Sequence, residues 1–498
     1  MMHTDLCKAQ SLGDLLGLVS NMLADVVHPL LSFAFILCSM PFFFILSLLH
    51  RITTNAIRSA VLKRNSDVIM VGHQDALCLH RSASNLAVLD CLLLLKGKAD
   101  LAKLRKLIQE RLVDARGEDG HLLLPKLTRY FRTTVGCSVW VKDEAFDIRE
   151  HISKWTGQSP TTREELENLI GYLTSQTLPK NKSPWQIILI PSSSLLEKQC
   201  FVLFRFHHSI TDNATFAEVI LRQLADVRPA TPCPKPSSGV TKKYMQALKI
   251  FSTGPALLLE KLSMPVEEHC LYNQALSGTK LATWSEQLDL ALIKEMTKAS
   301  KSSTGAVLMT CLSGALRDYF KEGAHKIPDD ILVSVSFPSE ITSESYFAFD
   351  RSTFVLLSLP LQLADPVRQL QAVKLRLETS MQSVEPTLNS LITSQFTGKM
   401  PLWLSSILNR TMADKCTSVL CEVSCPESKL FIGGSAVEDI IVWSGQQSSV
   451  GVGISIVSYN GQAKVTLMVD KAIMSDPAIL LSNFEDHLEE LAKMLNVL

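Results

Sequence analysis

The sequence lacks a net charge. Lysine and arginine together number 49, and aspartate and glutamate together also number 49, in a chain of 498 residues. This balance argues against a protein that is held to nucleic acid by neutralising many phosphates. Hydrophobic residues make up 46% of the chain, which excludes a disordered polypeptide and predicts a large buried core.

The sequence also lacks several signatures of common chemistries. It contains no GxSxG nucleophile elbow, no GxxxxGK[ST] phosphate-binding loop and no CxxC pair. A serine hydrolase and a P-loop nucleotide-binding protein are therefore unsupported. The cysteines are scattered without the spacing of a zinc site, so we expect no bound metal and no resident cofactor.

Charged residues are absent from Pro29–Leu49, and this run matches the ~20 apolar residues that a transmembrane helix needs. Basic residues follow the run at Arg51 and Arg58, whereas only Lys8 precedes it, which places the rest of the chain in the cytosol. We therefore expect an anchor in the endoplasmic reticulum or on lipid droplets. Pro41 leaves open a hairpin instead of a span, and a buried soluble helix is the other interpretation.

Strand and helix patterns alternate irregularly along the rest of the chain. Trp185–Ile190 and Cys200–Phe206 are typical of buried strands, and 130–141 is also predicted to be a single strand. Four prolines between 229 and 236 indicate a boundary between two lobes. The class is α/β. The predicted divisions are an anchor at 1–64, an N-terminal lobe at 65–226, a linker and crossover at 227–280, and a C-terminal lobe at 281–498.

The segment His207–Asn213, with the sequence HHSITDN, is the best candidate for a catalytic site. It lies between an apolar strand and an amphipathic helix, a position from which rigid backbone can direct a side chain into a cleft. Adjacent histidines point to different sides, and a neutral imidazole can accept a proton from a hydroxyl. A hydrogen-bonded structural pair is the alternative, but the strand, Asp212 and the following helix favour catalysis.

HHSITDN resembles the HHxxxDG motif of the coenzyme-A-dependent acyltransferase superfamily. Other segments, in order along the chain, are similar to one branch of it, the wax ester synthase/diacylglycerol acyltransferase family. They are Trp140–His151 (W-x-x-D-x-x-F-D-x-x-x-H), Ser183–Trp185 (P-L-W), Ser313–Arg317 (G-A-L-R) and Ser458–Gly461 (S-Y-N-G).

The resemblance implies a two-lobed fold like that of chloramphenicol acetyltransferase, with mixed sheets and a central channel. By the same resemblance His208 is the general base, and His207 and Asp212 support the site. The substrates would be acyl-CoA and a lipid hydroxyl, either a long-chain alcohol or a diacylglycerol. The products would be a wax ester or a triacylglycerol.

The chain departs from the family pattern within this motif and also in the C-terminal half. Asn213 replaces the motif's glycine, and Val423–Glu427 replaces N-V-P-G-P. Asparagine tolerates left-handed backbone better than most residues, so we expect the turn to survive. The departures keep two alternatives open: a catalytically weak relative that binds acyl lipids or partners, and an acyltransferase for a small non-lipid acceptor.

Overall fold

The computed structural model describes most of the chain. The residues that it describes are 12–64, 68–71, 75, 78, 85–98, 100–117, 120–134, 137–191, 199–227, 240–264, 268–272, 274–338, 352–392, 402–446 and 449–497. Most of the predicted proline-rich linker, at 228–239, lies outside them.

Strands occur in both halves of the described chain. They are β1 (Ile69–Met70), β2 (Val88–Lys96), β3 (Arg129–Thr134), β4 (Cys137–Lys142), β5 (Ile152–Lys154), β6 (Trp185–Pro191), β7 (Gln199–His207), β8 (Lys280–Trp284), β9 (Leu288–Asp289), β10 (Asp330–Pro338), β11 (Ser352–Pro360), β12 (Ser418–Ser424), β13 (Phe431–Ile432), β14 (Ser435–Trp443), β15 (Val452–Tyr459) and β16 (Gln462–Asp470).

Helices lie between these strands and at both ends of the described chain. They are α1 (Leu12–Arg64), α2 (Leu101–Ile108), α3 (Ile148–His151), α4 (Arg163–Ser175), α5 (Asn213–Thr215), α6 (Leu221–Leu224), α7 (Val240–Ser263), α8 (Leu290–Ser300), α9 (Thr304–Glu322), α10 (Pro366–Gln382), α11 (Glu385–Leu391), α12 (Leu402–Ala413) and α13 (Ala478–Met494). Two π-helical turns, Gln109–Val113 and Phe216–Ile220, extend α2 and join α5 to α6, and a 3₁₀ turn covers Pro125–Thr128.

The described strands form two large sheets and one small sheet. The first large sheet has the order β13-β14-β2-β7-β6-β5, and the small sheet has the order β1-β4-β3. The second large sheet has the order β11-β10-β12-β15-β16-β8, with β9 also paired to β16. Parallel pairs occur in both large sheets, between β5 and β6 and from β10 through β12 to β15, so both are mixed.

Apolar periodicity explains how the helices cover the second sheet. In α13, Phe484, Leu488 and Leu491 recur at helical spacing, and all three side chains are buried. They join a core that also includes residues of α9, α10 and the strands β10, β15 and β16. In the first sheet, β7 is buried along nearly its whole length because β2 and β6 flank it on both sides.

One strand links the two halves of the chain. β14 lies within the predicted C-terminal lobe, but it pairs with β2 of the first sheet, with Trp443 opposite Asp90. The end of β14 therefore lies beside the start of β2 and the end of β7, where the histidine pair is found. The domain divisions given above stay a prediction.

The single strand predicted at 130–141 is wrong. The structure has two strands, β3 and β4, paired antiparallel with Arg129 opposite Lys142 and Thr134 opposite Cys137. The run is longer than the usual strand of about five or six residues, and it contains Gly136, a residue type that favours turns. High β propensity alone did not reveal this reversal.

Helix α1 is continuous from Leu12 to Arg64 and passes through Pro41 without a break. The structure therefore does not have the hairpin that Pro41 left open. A proline removes only one helical hydrogen bond, so a helix can continue through it with a kink. By length and composition, Met40–Val61 is long and apolar enough to cross a membrane; Phe42, Ile45 and Leu49 are exposed on it, whereas Val61 at its end is buried. This range begins later than the predicted Pro29–Leu49.

Candidate active site

The histidine pair lies where β7 ends and the chain turns toward α5. His207 is the last residue of β7 and is paired with Val88 of β2. Its backbone N–H donates to the Pro184 carbonyl at 3.0 Å, and the His208 N–H donates to the Ala87 carbonyl at 2.8 Å. Neighbouring strand segments on both sides therefore hold the backbone of the pair.

His207 has a fully buried side chain. Its Nδ1 accepts a hydrogen bond from the Ser209 backbone N–H at 3.2 Å and lies 2.7 Å from the Ser209 Oγ. Its ring packs edge-on against Phe131, with 6.0 Å between ring centroids. These contacts fix the turn that follows β7, so His207 holds the loop and does not face solvent.

His208 keeps part of its surface exposed. Burial lowers the pKa of His208 below its ordinary value of 6.5, while the negative charge of Asp212 and a hydrogen bond to the Gly445 backbone oppose this shift. The net lowering keeps the imidazole neutral at pH 7, and a neutral imidazole has a lone pair that can accept a proton. The two histidines therefore differ in exposure, as the sequence predicts for adjacent residues.

Asp212 is the N-cap of α5. Its Oδ1 accepts a hydrogen bond from the Thr215 backbone N–H at 2.7 Å, and its carbonyl accepts from the Phe216 N–H at 2.9 Å. An N-cap carboxylate satisfies helical N–H groups that would otherwise lack a partner. Asp212 thus fixes the end of the HHSITDN segment, and its charge reaches the His208 ring.

Asn213 does not use the left-handed backbone expected at the motif's glycine. It is the first residue of α5, and its φ angle is not positive. Its side chain is buried, and its Nδ2 donates to the Cys421 Sγ at 2.9 Å and to the Ser444 Oγ at 2.8 Å. The asparagine thus connects the histidine loop to β12 and to the end of β14.

Lys126 supports the histidine loop from the side, a role that the sequence did not reveal. Its Nζ donates to the Ser209 carbonyl at 2.8 Å, forms an ion pair with the Asp75 carboxylate at 2.7 Å, and lies 5.5 Å from the Trp140 ring centroid. Trp140 Nε1 also donates to Asp75 at 3.2 Å. Of Lys126, Asp75 and Trp140, only Trp140 belongs to a family-like segment, because it is the first residue of the W-x-x-D pattern.

Gly445 lies directly against the His208 ring. A Cβ atom at position 445 would lie 2.6 Å from the His208 Cδ2, 2.8 Å from its Nε2 and 2.8 Å from the Val88 carbonyl oxygen. Real Cβ atoms do not approach other atoms so closely, so only glycine fits beside the ring. The contact between Gly445 and His208 could not be predicted from the sequence, because a single glycine after a strand is a common feature.

No group of three or more histidine, cysteine, aspartate or glutamate residues suited to a metal ion occurs in the described part of the chain. Near the site, burial raises the pKa of the Cys421 thiol to about 12, so Cys421 stays protonated. The chemistry that this arrangement offers is therefore proton transfer by a neutral histidine in a supported loop.

Family models match the chain in two places. The wax ester synthase/diacylglycerol acyltransferase catalytic domain matches residues 97–263, which include the histidine pair, and the C-terminal domain of the same family matches residues 350–492. The chain belongs to the wax ester synthase/diacylglycerol acyltransferase family. The resemblance read from the motifs is thereby confirmed, and this family member is an acyl-CoA-dependent acyltransferase.

Relatives and solved structures agree with this assignment. A putative diacylglycerol O-acyltransferase of Mycobacterium tuberculosis is 22% identical over 386 residues, covering 71% of this chain and 76% of that protein. The O-acyltransferase WSD of Acinetobacter baylyi is 21% identical, covering 70% and 82%. The wax ester synthase/diacylglycerol acyltransferase of Marinobacter aquaeolei VT8 aligns with a TM-score of 0.62 at 17% identity, covering 86% of this chain and 100% of that chain.

The structural similarity confirms the predicted two-lobed α/β fold with mixed sheets. The family-like segments lie at supporting positions in this family member. Trp185 begins β6, and the S-Y-N-G turn joins β15 to β16, with positive φ angles at Asn460 and Gly461. Tyr459 of this turn donates through its hydroxyl to the Val437 carbonyl of β14 at 2.9 Å, which connects the two large sheets.

Proposed function

We propose that the protein is a membrane-anchored O-acyltransferase that esterifies a lipid hydroxyl with the acyl group of acyl-CoA. The observation that carries this proposal is His208: a partly exposed residue whose imidazole has a pKa lowered by burial, in a supported loop inside the catalytic-domain match. The acceptor is a long-chain alcohol or a diacylglycerol, and the product is a wax ester or a triacylglycerol.

His208 acts as the general base. Its neutral imidazole takes the proton of the acceptor hydroxyl while the hydroxyl oxygen attacks the carbonyl carbon of the thioester. The carbon–sulfur bond then breaks as the tetrahedral adduct collapses, and the imidazolium returns the proton to the departing CoA sulfur. The acyl carbon thus exchanges its bond to sulfur for a bond to the acceptor oxygen. Because the imidazolium has given up its proton, neutral His208 is regenerated. His207 and Asp212 act as positioning residues.

The acceptor class is tested by incubating the full-length protein in proteoliposomes with labelled acyl-CoA and a panel of acceptors. We expect labelled ester with a long-chain alcohol or a diacylglycerol and none with a short alcohol, an amine or a sugar. Product only with small acceptors would contradict a lipid acceptor. Binding of acyl-CoA without product from any acceptor would contradict turnover and indicate a lipid-binding relative.

Helix α1 is the element that we propose as the membrane anchor. Phe42 and Ile45 are 63% and 57% exposed within the range that is long and apolar enough to cross a membrane. Lys63 and Arg64 follow this range, and such flanking basic residues favour a cytosolic enzyme body, which we propose to lie at the endoplasmic reticulum or on lipid droplets.

Exposed apolar side chains on α12 support the same orientation. Trp403 and Ile407 are exposed one helical turn apart. Helix α12 packs against α7, which also packs against α1. Tryptophan is favoured at the boundary between water and lipid, so we propose that this face lies near the bilayer surface.

Placing two lysines in α1, by Phe42→Lys together with Ile45→Lys, is expected to release the full-length protein from membranes. A charge costs about 2.5–3.5 kcal/mol at the centre of a span and less near its ends. Both positions lie in the first two turns of Met40–Val61, so the two charges together disfavour insertion. Alkaline carbonate extraction followed by sedimentation measures the fraction that stays in the membrane.

Met494→Lys is the matched control for this experiment, because Met494 is 46% exposed on α13 of the enzyme body. It should leave the membrane fraction unchanged. Retention of the double-lysine variant in carbonate-washed membranes would argue against α1 as the anchor.

A further inference from the structure

Lys280 is a buried cation at the start of β8, with an exposure of only 7%. Its Nζ lies 2.6 Å from Asn85 Oδ1, 2.8 Å from Gln446 Oε1 and 3.5 Å from the Asp470 Oδ2. An ammonium group has three N–H donors and no acceptor, so these three oxygens match its full hydrogen-bonding capacity. Lys280 therefore joins three segments that are distant in sequence.

Two of these segments also contact His208. Asn85 is two residues before Ala87, whose carbonyl accepts the His208 backbone N–H at 2.8 Å. Gln446 directly follows Gly445, whose backbone lies against the His208 ring. One ammonium group thus holds both the segment that fixes the His208 backbone and the segment that forms a wall for its ring.

Both amide partners of Lys280 are themselves fixed. Asn85 Nδ2 donates to the Val450 carbonyl at 2.9 Å. Gln446 Nε2 donates to the Gly451 carbonyl at 3.3 Å and also to the Met468 carbonyl. Each amide therefore presents its oxygen to Lys280 in one orientation, and the network leaves little freedom for residue 446 to move away from His208.

We propose that Lys280 is a positioning residue for His208, acting through Asn85 and Gln446 on the two segments between which the imidazole lies. The inference rests on the proposed role of His208 as the general base. Because a misplacement of about 1 Å can cost ~10²-fold in rate, a cation that fixes both segments should affect turnover without touching substrate.

Lys280→Met removes the three donors while keeping a side chain of similar length. We expect kcat for ester formation to fall roughly 10- to 100-fold, with KM for acyl-CoA changed by less than about threefold. Looser packing admits water, which weakens the desolvation that lowers the pKa of His208. The acid limb of the kcat/KM–pH profile should therefore move to higher pH, toward 6.5. Asp212, whose charge acts on His208, is unchanged.

Gln446→Met breaks the connection between Lys280 and the segment beside His208 while Lys280, Asp470 and Asn85 stay in place. If Lys280→Met does not fold, this variant decides whether Lys280 positions His208. We expect a similar loss of kcat and the same direction of the pH shift. The double variant should be no slower than the slower single variant, because both substitutions break one connection.

Lys415→Met is the matched control. Lys415 is 8% exposed, and its Nζ donates to the Leu262 and Met264 carbonyls at 2.7 Å and 2.6 Å. Its loss should lower the unfolding temperature while leaving kcat per folded molecule and the pH profile unchanged. The same full-length preparations are compared by thermal unfolding and by kcat and kcat/KM from pH 5 to 8.

Two results would overturn the inference. One is a kcat within twofold of native in Lys280→Met or, if that variant does not fold, in Gln446→Met. The other is a loss of activity that matches only the unfolded fraction, as in Lys415→Met, with no pH shift. His208→Ala in the same series separates the two proposals. If His208→Ala is fully active, the general-base proposal fails. If His208→Ala is inactive while Lys280→Met and Gln446→Met keep native kcat, only the role of Lys280 fails.

Discussion

Ester formation is expected to fall by about 10²–10⁴-fold when His208 is replaced by alanine, since this is the usual contribution of a placed general base. The alanine variant keeps the backbone hydrogen bond from residue 208 to the Ala87 carbonyl, and it leaves His207 and Asp212 in place. The loop should therefore stay folded, and binding of acyl-CoA should persist. The measurement is labelled ester formed by the full-length protein at saturating acyl-CoA and acceptor.

His325→Ala is the control for this substitution, because His325 is an exposed histidine in the turn after α9. It should keep native activity. Equal activity of native protein and His208→Ala would remove the proposed mechanism, whatever the acceptor.

The pH dependence of the native protein follows from the same group. Burial lowers the pKa of His208 below its ordinary value of 6.5, so the imidazole stays neutral as the pH falls from 7 to 6.5. Only a further fall, through the lowered pKa, protonates the base and removes its lone pair. We therefore expect the acid limb of the kcat/KM profile, which reports the free enzyme, to lie below pH 6.5. A midpoint at or above pH 7 would argue against His208 as the titrating group.

Gly445→Ala is expected to produce the second large loss, about 10²-fold in kcat. The new Cβ would lie 2.8 Å from the Val88 carbonyl oxygen and 2.6 Å from the His208 Cδ2. The carbonyl belongs to a paired strand and cannot move freely, so the imidazole must turn away or the segment after β14 must shift. Overpacking of this kind also costs about 1–3 kcal/mol of stability. Single-turnover kinetics and denaturant unfolding measure the two effects.

Gly254→Ala offers a matched control in α7. The nearest atoms to its added Cβ are side-chain carbons of Leu388 and Ile250 at 3.5 Å or more, which is ordinary contact. Pro255 follows directly, and its ring disfavours helical backbone at a preceding residue that carries a Cβ, so we expect a small loss of stability but an unchanged kcat per folded molecule. A native kcat in Gly445→Ala would contradict this prediction, because it would show that the His208 imidazole keeps its position beside a Cβ at residue 445.

Several features of the fold were predictable because they depend on near neighbours in sequence. Thr162 and Ser303 cap α4 and α9 by accepting from the backbone N–H three residues later, and serine and threonine are residue types that favour the N-cap position. The strands before the histidine pair follow from runs of buried apolar residues. Where local signals were ambiguous, as in the run around Gly136, the prediction failed.

The family, the α/β class and the HHSITDN segment can be predicted from the sequence alone, because ordered motifs and local periodicity carry them. The surroundings of His208, in contrast, depend on contacts between distant parts of the chain. Lys280 and Asn85 are 195 residues apart, and Gly445 reaches the ring because β14 pairs with β2 across the two halves of the chain. Strand register and side-chain packing create such contacts between distant residues, and no local pattern in the sequence encodes them.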